Sequence, residues 1–502
     1  MSRTVIVDPV SRIEGHLKIQ LDIEGGRVVG ARSSGEMFRG FEKLLVGRDP
    51  MDAQLITQRI CGVCPISHGV AASIAQEQAY GVQAPPNGRI LRNLVLVANT
   101  IQSHIVHFYQ LAALDFIDVT ALLAYRGDDP QTVSLAKWAA EEMGAGGPHP
   151  VAPLLPRMEG SYLEGVTANV KALQNYGAAL EMRRTLHEMI ALFAGKMPHA
   201  NGVVPTGITG GVDARRAAAY ASRLRKVREF LEHAWAPDAI ALGRAFGDYF
   251  DLGRTPDDML VYGGLELEDG STFYPRGVLI DGRPEAFDDA AITEDNAHTY
   301  LDGASGVHPT RGTTDPHEHK DGAYTWIKAP RYARRPVEVG PAARLKVAAH
   351  VAPNHPFLRT ADKVFRSVGR DLSDVNTAMG RHVARLVESI ALAEAAEEWI
   401  QQLEIGAPST RHFEVCERGR GVGLVEAPRG ALGHWMAIRD RKIESYQCVV
   451  PTTWNCSPMD DDGVAGPVEA SLKGLTVAND EHPIEAMRVV RSYDPCLACA
   501  VH

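Results

Sequence analysis

The stretches RICGVCPISHG (residues 59–69) and DPCLACAVH (residues 494–502) each hold two cysteines in a Cys-X-X-Cys pair. Chain ends are disordered by default unless something ties them down, so the second pair needs an explanation. Together, two such pairs could form a four-thiolate site, which would suit zinc, iron-sulfur clusters or another soft transition metal. The pairs of a zinc ribbon lie about 15–20 residues apart. Pairs at opposite ends of a chain favour a buried active centre, although two unrelated pairs remain an alternative.

Composition excludes several classes of protein. With 502 residues, 45% of them hydrophobic, the chain can bury a large core. Its formal charge of -10 and the lack of a basic run exclude nucleic acid as an expected partner. Seven cysteines in so long a chain do not indicate a disulfide scaffold. We interpret the three isolated ones, Cys416, Cys448 and Cys456, as small buried hydrophobic residues.

The sequence pattern predicts an α+β, predominantly helical fold with a central helical bundle and strand-rich N- and C-terminal regions. TVIV, HLKIQLDI and RVVGARS predict an N-terminal β meander, and the segment from Phe413 to Val450 returns to strands. We interpret residues 1–502 as one domain, with 253–345 as a loop-rich lobe because it is rich in Gly, Pro and Asp. Helical periodicity covers DAQLITQ, Pro65 to Gln78, residues 90–114, 165–195, 213–235 and 360–403.

The first cysteine pair precedes a predicted helix. Pro65 suits the first helical position, so Cys61 and Cys64 would lie at a helix N-terminus, where the backbone dipole favours thiolate over thiol. A single Cys-X-X-Cys is a moderate signal, since redox pairs, zinc sites and cluster ligands all use it. The redox-pair interpretation is weakened because no βαβ pattern surrounds the pair.

The flanking sequence decides between these alternatives. The chain resembles the large subunit of nickel-iron hydrogenases from residue 8 to residue 502, and the two cysteine motifs in this order are highly specific. A related subunit of respiratory complex I shares the architecture but lacks the four cysteines, so their presence favours the metal-bearing branch. The other stretches that carry the resemblance are SRIEGHLKI, EMFRGFE, APRGALGHW and VVPTTWN.

The resemblance implies a nickel-iron centre. Cys61 and Cys496 would be terminal thiolates on nickel, while Cys64 and Cys499 would bridge nickel to an iron that carries one carbon monoxide and two cyanides, Fe(CO)(CN)2. Thiolates suit this role because they are soft, electron-rich donors.

The resemblance also implies a pocket around the iron ligands. Arg429 would face a cyanide and the open side of the metals, Pro428 would supply an apolar wall, and Thr452 would hydrogen-bond the other cyanide. His68 would lie near a bridging sulfur, and Asp494 would pair with Arg429 or cap the turn.

Two further sites follow from the resemblance. Glu14 would relay the proton released from H2, with the Cys496 thiolate as its first acceptor, because burial can bring a carboxyl pKa toward neutrality. Glu42, the backbone carbonyl of Cys448 and His502 would bind Mg²⁺, or Fe²⁺ in view of the histidine.

Two other features bear on these expectations. Ser103 stands where many relatives have an aspartate near Arg429, which changes the expected charge balance. The cluster of His308, His317 and His319 has metal-like spacing, but it lies in the Gly- and Asp-rich segment, where we expect a solvated loop.

The chemistry requires a partner. With four cysteines used at the centre, too few remain to bind the clusters of an electron relay. We therefore expect an iron-sulfur small subunit, bound across a large apolar interface. Higher oligomers or a membrane electron-acceptor subunit are also compatible with the sequence. No signal peptide or membrane span is evident, so we expect a cytoplasmic chain, or membrane association or export through the partner. Two alternatives stay open: a regulatory hydrogen sensor with the same site, and a structural zinc protein with all four cysteines in one site.

Overall fold

The computed structural model describes residues 2–144 and 158–502. An antiparallel sheet opens the chain with β1 (Ser2–Val7), β2 (Leu17–Glu24) and β3 (Arg27–Gly35) in the order β1-β2-β3. Alternate residues of β2, from Leu17 to Ile23, point into the core, as period-2 patterning predicts. The predicted N-terminal meander is therefore confirmed.

Helices dominate the rest of the chain, which confirms the predicted fold class. Of the four helices that form the central bundle, α4 (Pro86–Val106) and α11 (Ala378–Gln401) are largely buried. Helix α4 packs between α6 (Val166–Ala194) and α11, while α7 (Ala214–Phe230) contacts both α6 and α11. The helices are α1 (Phe41–Leu45), α2 (Ala53–Ile56), α3 (Pro65–Tyr80), α4 (Pro86–Val106), α5 (Pro130–Gly144), α6 (Val166–Ala194), α7 (Ala214–Phe230), α8 (Ala236–Ala245), α9 (Pro341–Val351), α10 (Pro356–Ser367), α11 (Ala378–Gln401), α12 (Pro451–Asn455), α13 (Pro467–Leu472), α14 (Ile484–Ser492) and α15 (Leu497–Ala500).

The structure differs from the predicted helices in two respects. The stretch 360–403 is not one helix, because Gly369, with a φ of 73°, and a 3-10 turn at Leu372–Asp374 separate α10 from α11. The sequence pattern also gives no prediction for α1, α5, α8, α9 or α12 to α15. The last four are too short to show a 3.6-residue period.

Short strands fill the segment predicted to be a loop-rich lobe. Its hydrophobic residues, such as Leu260 and Tyr262, share a buried cluster with Trp435 and Trp454 of the C-terminal region. The interpretation of the whole chain as one domain stays a prediction. The strands between α6 and α9 are β4 (Val203–Val204), β5 (Gly207–Ile208), β6 (Met259–Val261), β7 (Gly264–Glu266), β8 (Thr272–Tyr274), β9 (Gly277–Ile280), β10 (Arg283–Glu285), β11 (Ile292–Asp295), β12 (Leu301–Asp302), β13 (Asp315–Pro316) and β14 (Ala329–Tyr332).

A second antiparallel sheet, β15 (Arg418–Ala427), β16 (Gly430–Arg439) and β17 (Lys442–Val449), supports α3. Gly421 and Gly423 face this helix, and a Cβ on them would lie 1.8 and 1.9 Å from the carbonyl oxygens of Ala75 and Ala71. Alternating glycines against small helix residues thus let the two backbones touch, which places the first cysteine motif over the sheet. Among the helices of the described residues, none combines the length and apolarity that a bilayer span needs.

Candidate metal centre

The first cysteine motif is held by the start of α3. Pro65 occupies the first turn of this helix, as predicted, and Cys64 precedes it in a non-helical conformation. The backbone N–H groups of Val63 and Cys64 donate to Cys61 Sγ at 3.3 and 3.4 Å. Hydrogen bonds from the other three thiols hold the pKa of Cys61 well below its ordinary value. The close packing of the sulfur atoms therefore favours loss of a proton from this group of thiols.

The C-terminal motif is tied to the N-terminal region through backbone contacts. Glu14 donates its N–H to the carbonyl of Pro495 at 3.3 Å and accepts from the N–H of Leu497 at 2.6 Å, forming a parallel bridge beside Cys496. A Cβ on Gly15 would lie 2.5 Å from the backbone nitrogen of Ala498, so only glycine fits there. The SRIEGH segment thus clamps the tail in place.

The two motifs meet in the interior. Cys61 Sγ lies 3.5 Å from Cys496 Sγ, and Cys64 Sγ lies 3.4 Å from Cys499 Sγ. All four residues are buried, are free of disulfides and have their sulfur atoms within 4.8 Å of one another. These residues form the sulfur cluster. Four soft donors at this spacing fit a transition-metal centre.

Arg429 lies at the turn between β15 and β16, beside the sulfur cluster. Its Nη2 donates to Asp494 Oδ1 at 2.9 Å and its Nε donates to the Asp494 carbonyl at 2.8 Å, while Asp494 adopts a φ of 56°. Burial opposes the charge of Arg429, but Asp494 and the neighbouring sulfur atoms raise its pKa well above the ordinary value. The guanidinium is a fixed cation, and its Nη1 is buried without a hydrogen-bond partner in the described residues.

The other residues expected around the centre are also buried. Thr452 Oγ1 accepts from the N–H of Cys496 at 3.0 Å, and Pro428 precedes Arg429 in the turn. His68 Nε2 lies 3.5 Å from Cys499 Sγ. Ser103 is fully buried, and its hydroxyl has no hydrogen-bond partner within the described ranges.

Glu14 lies at the edge of the sulfur cluster and is half-buried. Burial raises its pKa, and the charge of Cys61 adds to this effect, while Arg429 and Arg39 oppose it. A carboxyl group in this position can accept and release a proton closer to neutral pH than an exposed glutamate can.

A second group of potential ligands lies under the C-terminus. Glu42, Cys448 and His502 place one ligand atom each within 4.8 Å of the others, and these residues form the carboxylate cluster. Glu42 Oε1 lies 3.2 Å from His502 Nε2 and accepts from the N–H of Cys448 at 2.7 Å. The ligand atom that Cys448 places in this group is its sulfur, whereas the resemblance implies its backbone carbonyl.

A lysine side chain already lies beside the carboxylate cluster. Lys328 Nζ lies 3.4 Å from Glu42 Oε2 and 3.5 Å from Glu294 Oε2. Burial raises the pKa of Glu42, but Lys328, His502 and Thr314 more than offset this and hold the pKa well below its ordinary value. Sequence reasoning misses Lys328, because nothing near it in the chain points to a site.

Two more residues missed by the sequence analysis lie behind His68. His68 Nδ1 is 3.2 Å from His434 Nε2, and His434 Nδ1 is 2.8 Å from the hydroxyl of Tyr446. Burial lowers the pKa of His68 to about 3 and that of His434 well below its ordinary value, so both rings are neutral at pH 7. His434 lies in the APRGALGHW stretch, which is the signal that could have found it.

The histidines at 308, 317 and 319 do not converge on a metal site. His317 and His319 are exposed, and His308 and His317 pair with different carboxylates, Asp289 and Asp302. Within the described ranges, the groups of potential ligands that do converge are the sulfur cluster and the carboxylate cluster.

Comparison with known proteins gives the family. A family model described as nickel-dependent hydrogenase matches residues 39–502, and one described as HoxL-like matches residues 4–34. The chain belongs to the nickel-dependent hydrogenase family. It is 41% identical to the periplasmic [NiFeSe] hydrogenase large subunit of Desulfomicrobium baculatum, over 99% of this chain and 94% of that protein. It is 34% identical to the uptake hydrogenase large subunit of Bradyrhizobium diazoefficiens, over 100% of this chain and 95% of that protein.

Solved structures agree with this hydrogenase assignment. The Ni-Fe-Se hydrogenase from D. vulgaris Hildenborough in the reduced state matches with a TM-score of 0.89 and 38% identity, and the match covers 100% of each chain. The chain is thus a nickel-dependent hydrogenase large subunit, an oxidoreductase, with the predicted large-subunit fold. Although the Desulfomicrobium baculatum and D. vulgaris proteins are named as Ni-Fe-Se hydrogenases, this chain has cysteine at all four positions of the sulfur cluster.

Proposed function

We propose that this large subunit catalyses the reversible heterolytic oxidation of H2 to protons and electrons at a nickel-iron centre in the sulfur cluster. The observation that carries the proposal is the convergence of four buried sulfur atoms from both ends of the chain within 4.8 Å. The bound Ni-Fe(CO)(CN)2 group would supply the redox chemistry and the cleavage of H2. By their places in the two motifs, which resemble those of the family, Cys61 and Cys496 would be the terminal nickel ligands and Cys64 and Cys499 would be the bridges.

The residues around the cluster orient this group. Arg429 has one free Nη1 with which to donate to a cyanide, since Asp494 holds the rest of its guanidinium. Pro428 supplies an apolar wall, and Thr452, which accepts from Cys496, still has its hydroxyl proton to donate to the second cyanide. Such neighbours fix the ligands of a metal and tune its electronic properties.

Glu14 acts as the proton relay. Its backbone bridge to the Cys496 segment keeps the carboxyl group beside the terminal thiolates, and its raised pKa suits proton transfer near neutral pH. Cys496 is the first proton acceptor, and Glu14 passes the proton toward the surface.

The carboxylate cluster binds Mg²⁺, or Fe²⁺. Glu42 and His502 supply an oxygen and a nitrogen ligand, and Cys448 lies within reach of the same position. A cation there would fasten the last residues of the chain, which include two members of the sulfur cluster.

An iron-sulfur small subunit takes the electrons. The relatives are named as large subunits, which implies a small-subunit partner. Gly62 is exposed and lies between the two cysteines of the first motif, so a partner has access beside the centre. One of these relatives is named as periplasmic, so we propose export together with the small subunit.

Elemental analysis with infrared spectroscopy of the purified complex tests the proposal. We expect one nickel per complex, with iron in excess of nickel because the small subunit carries iron-sulfur clusters, together with carbonyl and cyanide stretching bands. Zinc in place of nickel, with no such bands, would refute the nickel-iron centre and revive the structural zinc alternative. H2-dependent turnover by the complex separates the enzyme from a sensor, for which turnover would be slow although the bands are present.

A further inference from the structure

Three buried side chains form a single file that ends on a sulfur atom of the proposed centre. The hydroxyl of Tyr446 is 2.8 Å from His434 Nδ1, His434 Nε2 is 3.2 Å from His68 Nδ1, and His68 Nε2 is 3.5 Å from Cys499 Sγ. His68 and Tyr446 are 1% exposed and His434 is 0% exposed, so bulk water does not compete for these groups. Each imidazole nitrogen in the file has one partner, which makes the file a continuous hydrogen-bonded chain.

The chemistry of the two ends gives the chain a direction. A neutral imidazole has one donor and one acceptor nitrogen, so one ring sets the tautomer of the next. As a metal ligand, Cys499 is a thiolate without a proton, and it can only accept. His68 must then donate from Nε2, which makes its Nδ1 an acceptor for His434 Nε2–H, and His434 Nδ1 becomes an acceptor for the Tyr446 hydroxyl.

We propose that Tyr446 and His434 are positioning residues that lock His68 in the tautomer that donates a hydrogen bond to the bridging sulfur of Cys499. This inference rests on the proposed nickel-iron centre and extends it to two residues beyond its immediate surroundings. Tyr446 starts the chain, His434 transmits its direction, and His68 delivers the N–H to the sulfur.

The fold builds this chain from rigid elements. His434 on β16 pairs with Cys448 on β17, and Tyr446 lies two residues before Cys448, so the two rings are diagonal neighbours on one face of the sheet. His68 comes from the first turns of α3, whose distance from the sheet is fixed by the glycine contacts of β15. The planes of the two imidazole rings are inclined by 43°, with centroids 5.4 Å apart.

The chain has a predictable electronic effect. A hydrogen bond to a metal-bound sulfur withdraws electron density from the metal, and such bonds are one of the means by which proteins set metal potentials. Breaking the chain leaves the bridging thiolate a stronger donor. The iron then returns more electron density to its carbonyl, so the carbonyl stretching band moves to lower wavenumber and the midpoint potential of the centre becomes more negative.

The test is infrared spectroscopy of the purified large and small subunit complex, with redox titration of the same bands. We expect Tyr446→Phe to move the carbonyl band to lower wavenumber by a small amount, because polarisation along the chain is lost. His434→Phe should move it further, because His68 loses the donor that fixes its tautomer. Tyr220→Phe is the matched control, since Tyr220 is equally buried and its hydroxyl donates to the Leu94 carbonyl at 2.8 Å outside this chain.

A double variant tests whether Tyr446 acts through His434 or independently of it. If Tyr446 acts only through His434, adding Tyr446→Phe to His434→Phe gives no further shift, whereas independent effects would add. Additive shifts, or a Tyr446→Phe band at the wild-type position, would overturn the proposal.

A conservative variant covers the case in which His434→Phe does not take up metal. The amide of His434→Gln can still donate toward His68 and accept from Tyr446, so its carbonyl band should lie no further from the wild-type position than that of Tyr446→Phe. A His434→Gln band at or near the wild-type position supports the hydrogen-bonded chain, and a His434→Gln band displaced well beyond that of Tyr446→Phe contradicts it. Absence of carbonyl bands in the wild-type complex would instead refute the nickel-iron centre, so the two failures are distinguishable.

Discussion

The sulfur cluster and the carboxylate cluster both contain residues of the C-terminal segment but balance charge in opposite ways. Beside the sulfur cluster, the cation Arg429 is already paired with Asp494 at 2.9 Å. This pair carries no net charge, so it offsets only part of the charge that four thiolates would carry. In the carboxylate cluster, Lys328 lies within 3.5 Å of both Glu42 and Glu294, so the protein supplies its own cation.

This difference in charge balance indicates which of the two sites depends on a metal ion. A group of buried thiolates without compensating charge is unfavourable, so ionisation of the sulfur cluster and metal binding should occur together. The carboxylate cluster is electrostatically complete as a folded structure, and a divalent ion would there add to an arrangement that already exists. The following predictions test that comparison.

Replacing a sulfur ligand should have the largest effect. Cys64→Ser exchanges a soft donor for a hard one at a position shared by two metals, so we expect complete loss of nickel and of H2 oxidation. Metal analysis and H2 uptake of the purified protein measure this. Cys416→Ser, at a half-buried cysteine outside the cluster, is the control and should retain both. Nickel retained in Cys64→Ser would show that the cluster does not bind it through this sulfur.

Glu14→Gln should separate metal binding from proton transfer. The amide keeps the shape of the side chain but cannot carry a proton, so we expect normal nickel content with hydrogen/deuterium exchange reduced by about 10²–10⁴-fold. Isotope exchange followed by mass spectrometry measures it. Glu36→Gln, at another half-buried glutamate, is the control, and full exchange in Glu14→Gln would show that the relay is elsewhere.

The sequence predicts the sulfur cluster well because its four cysteines lie in two short motifs whose identity does not depend on the path between them. It also predicts the β meander and the main bundle helices, where periodicity extends over several turns. By contrast, it misses Lys328 and Tyr446, which look like ordinary strand-region residues and acquire their roles only from partners distant in the chain. Long-range contacts of this kind leave no local signal.

Removing a charge pair that positions the C-terminal segment should have the next largest effect. Asp115 accepts from Arg491 at 2.8 and 2.9 Å and pairs with Arg12, so it connects the segment before Cys496 to the segment before Glu14. Asp115→Asn leaves the arginines buried without their counter-charge. We expect the free energy of unfolding to fall by about 3–5 kcal/mol, measured by denaturant titration. Asp315→Asn, at an exposed pair with Lys43, should cost about 1 kcal/mol or less.

The pH dependence of this effect has a definite sign. Burial raises the pKa of Asp115, but Arg491 and Arg12 outweigh it, so the folded pKa lies below the ordinary value. A lowered folded pKa means that the stabilisation is present at neutral pH and is lost as the pH falls below about 4. The difference in unfolding free energy between wild type and Asp115→Asn should therefore shrink in acid. A difference that stays constant from neutral pH to acid would contradict the ion-pair explanation.

Lys328→Met tests the comparison between the two clusters most directly. The variant removes the internal cation, and because Glu294 already has a raised pKa through burial, it can take up a proton and limit the damage. In the absence of divalent ions, we therefore expect the free energy of unfolding to fall by only about 1–3 kcal/mol. Mg²⁺ should raise the Tm of Lys328→Met more than that of wild type, because the ion then meets two carboxylates with no competing ammonium group. Lys320→Met, at a lysine that donates to two backbone carbonyls, should show no such gain. If Mg²⁺ raises the Tm of wild type and Lys328→Met equally, Lys328 does not balance the charge of the carboxylate cluster.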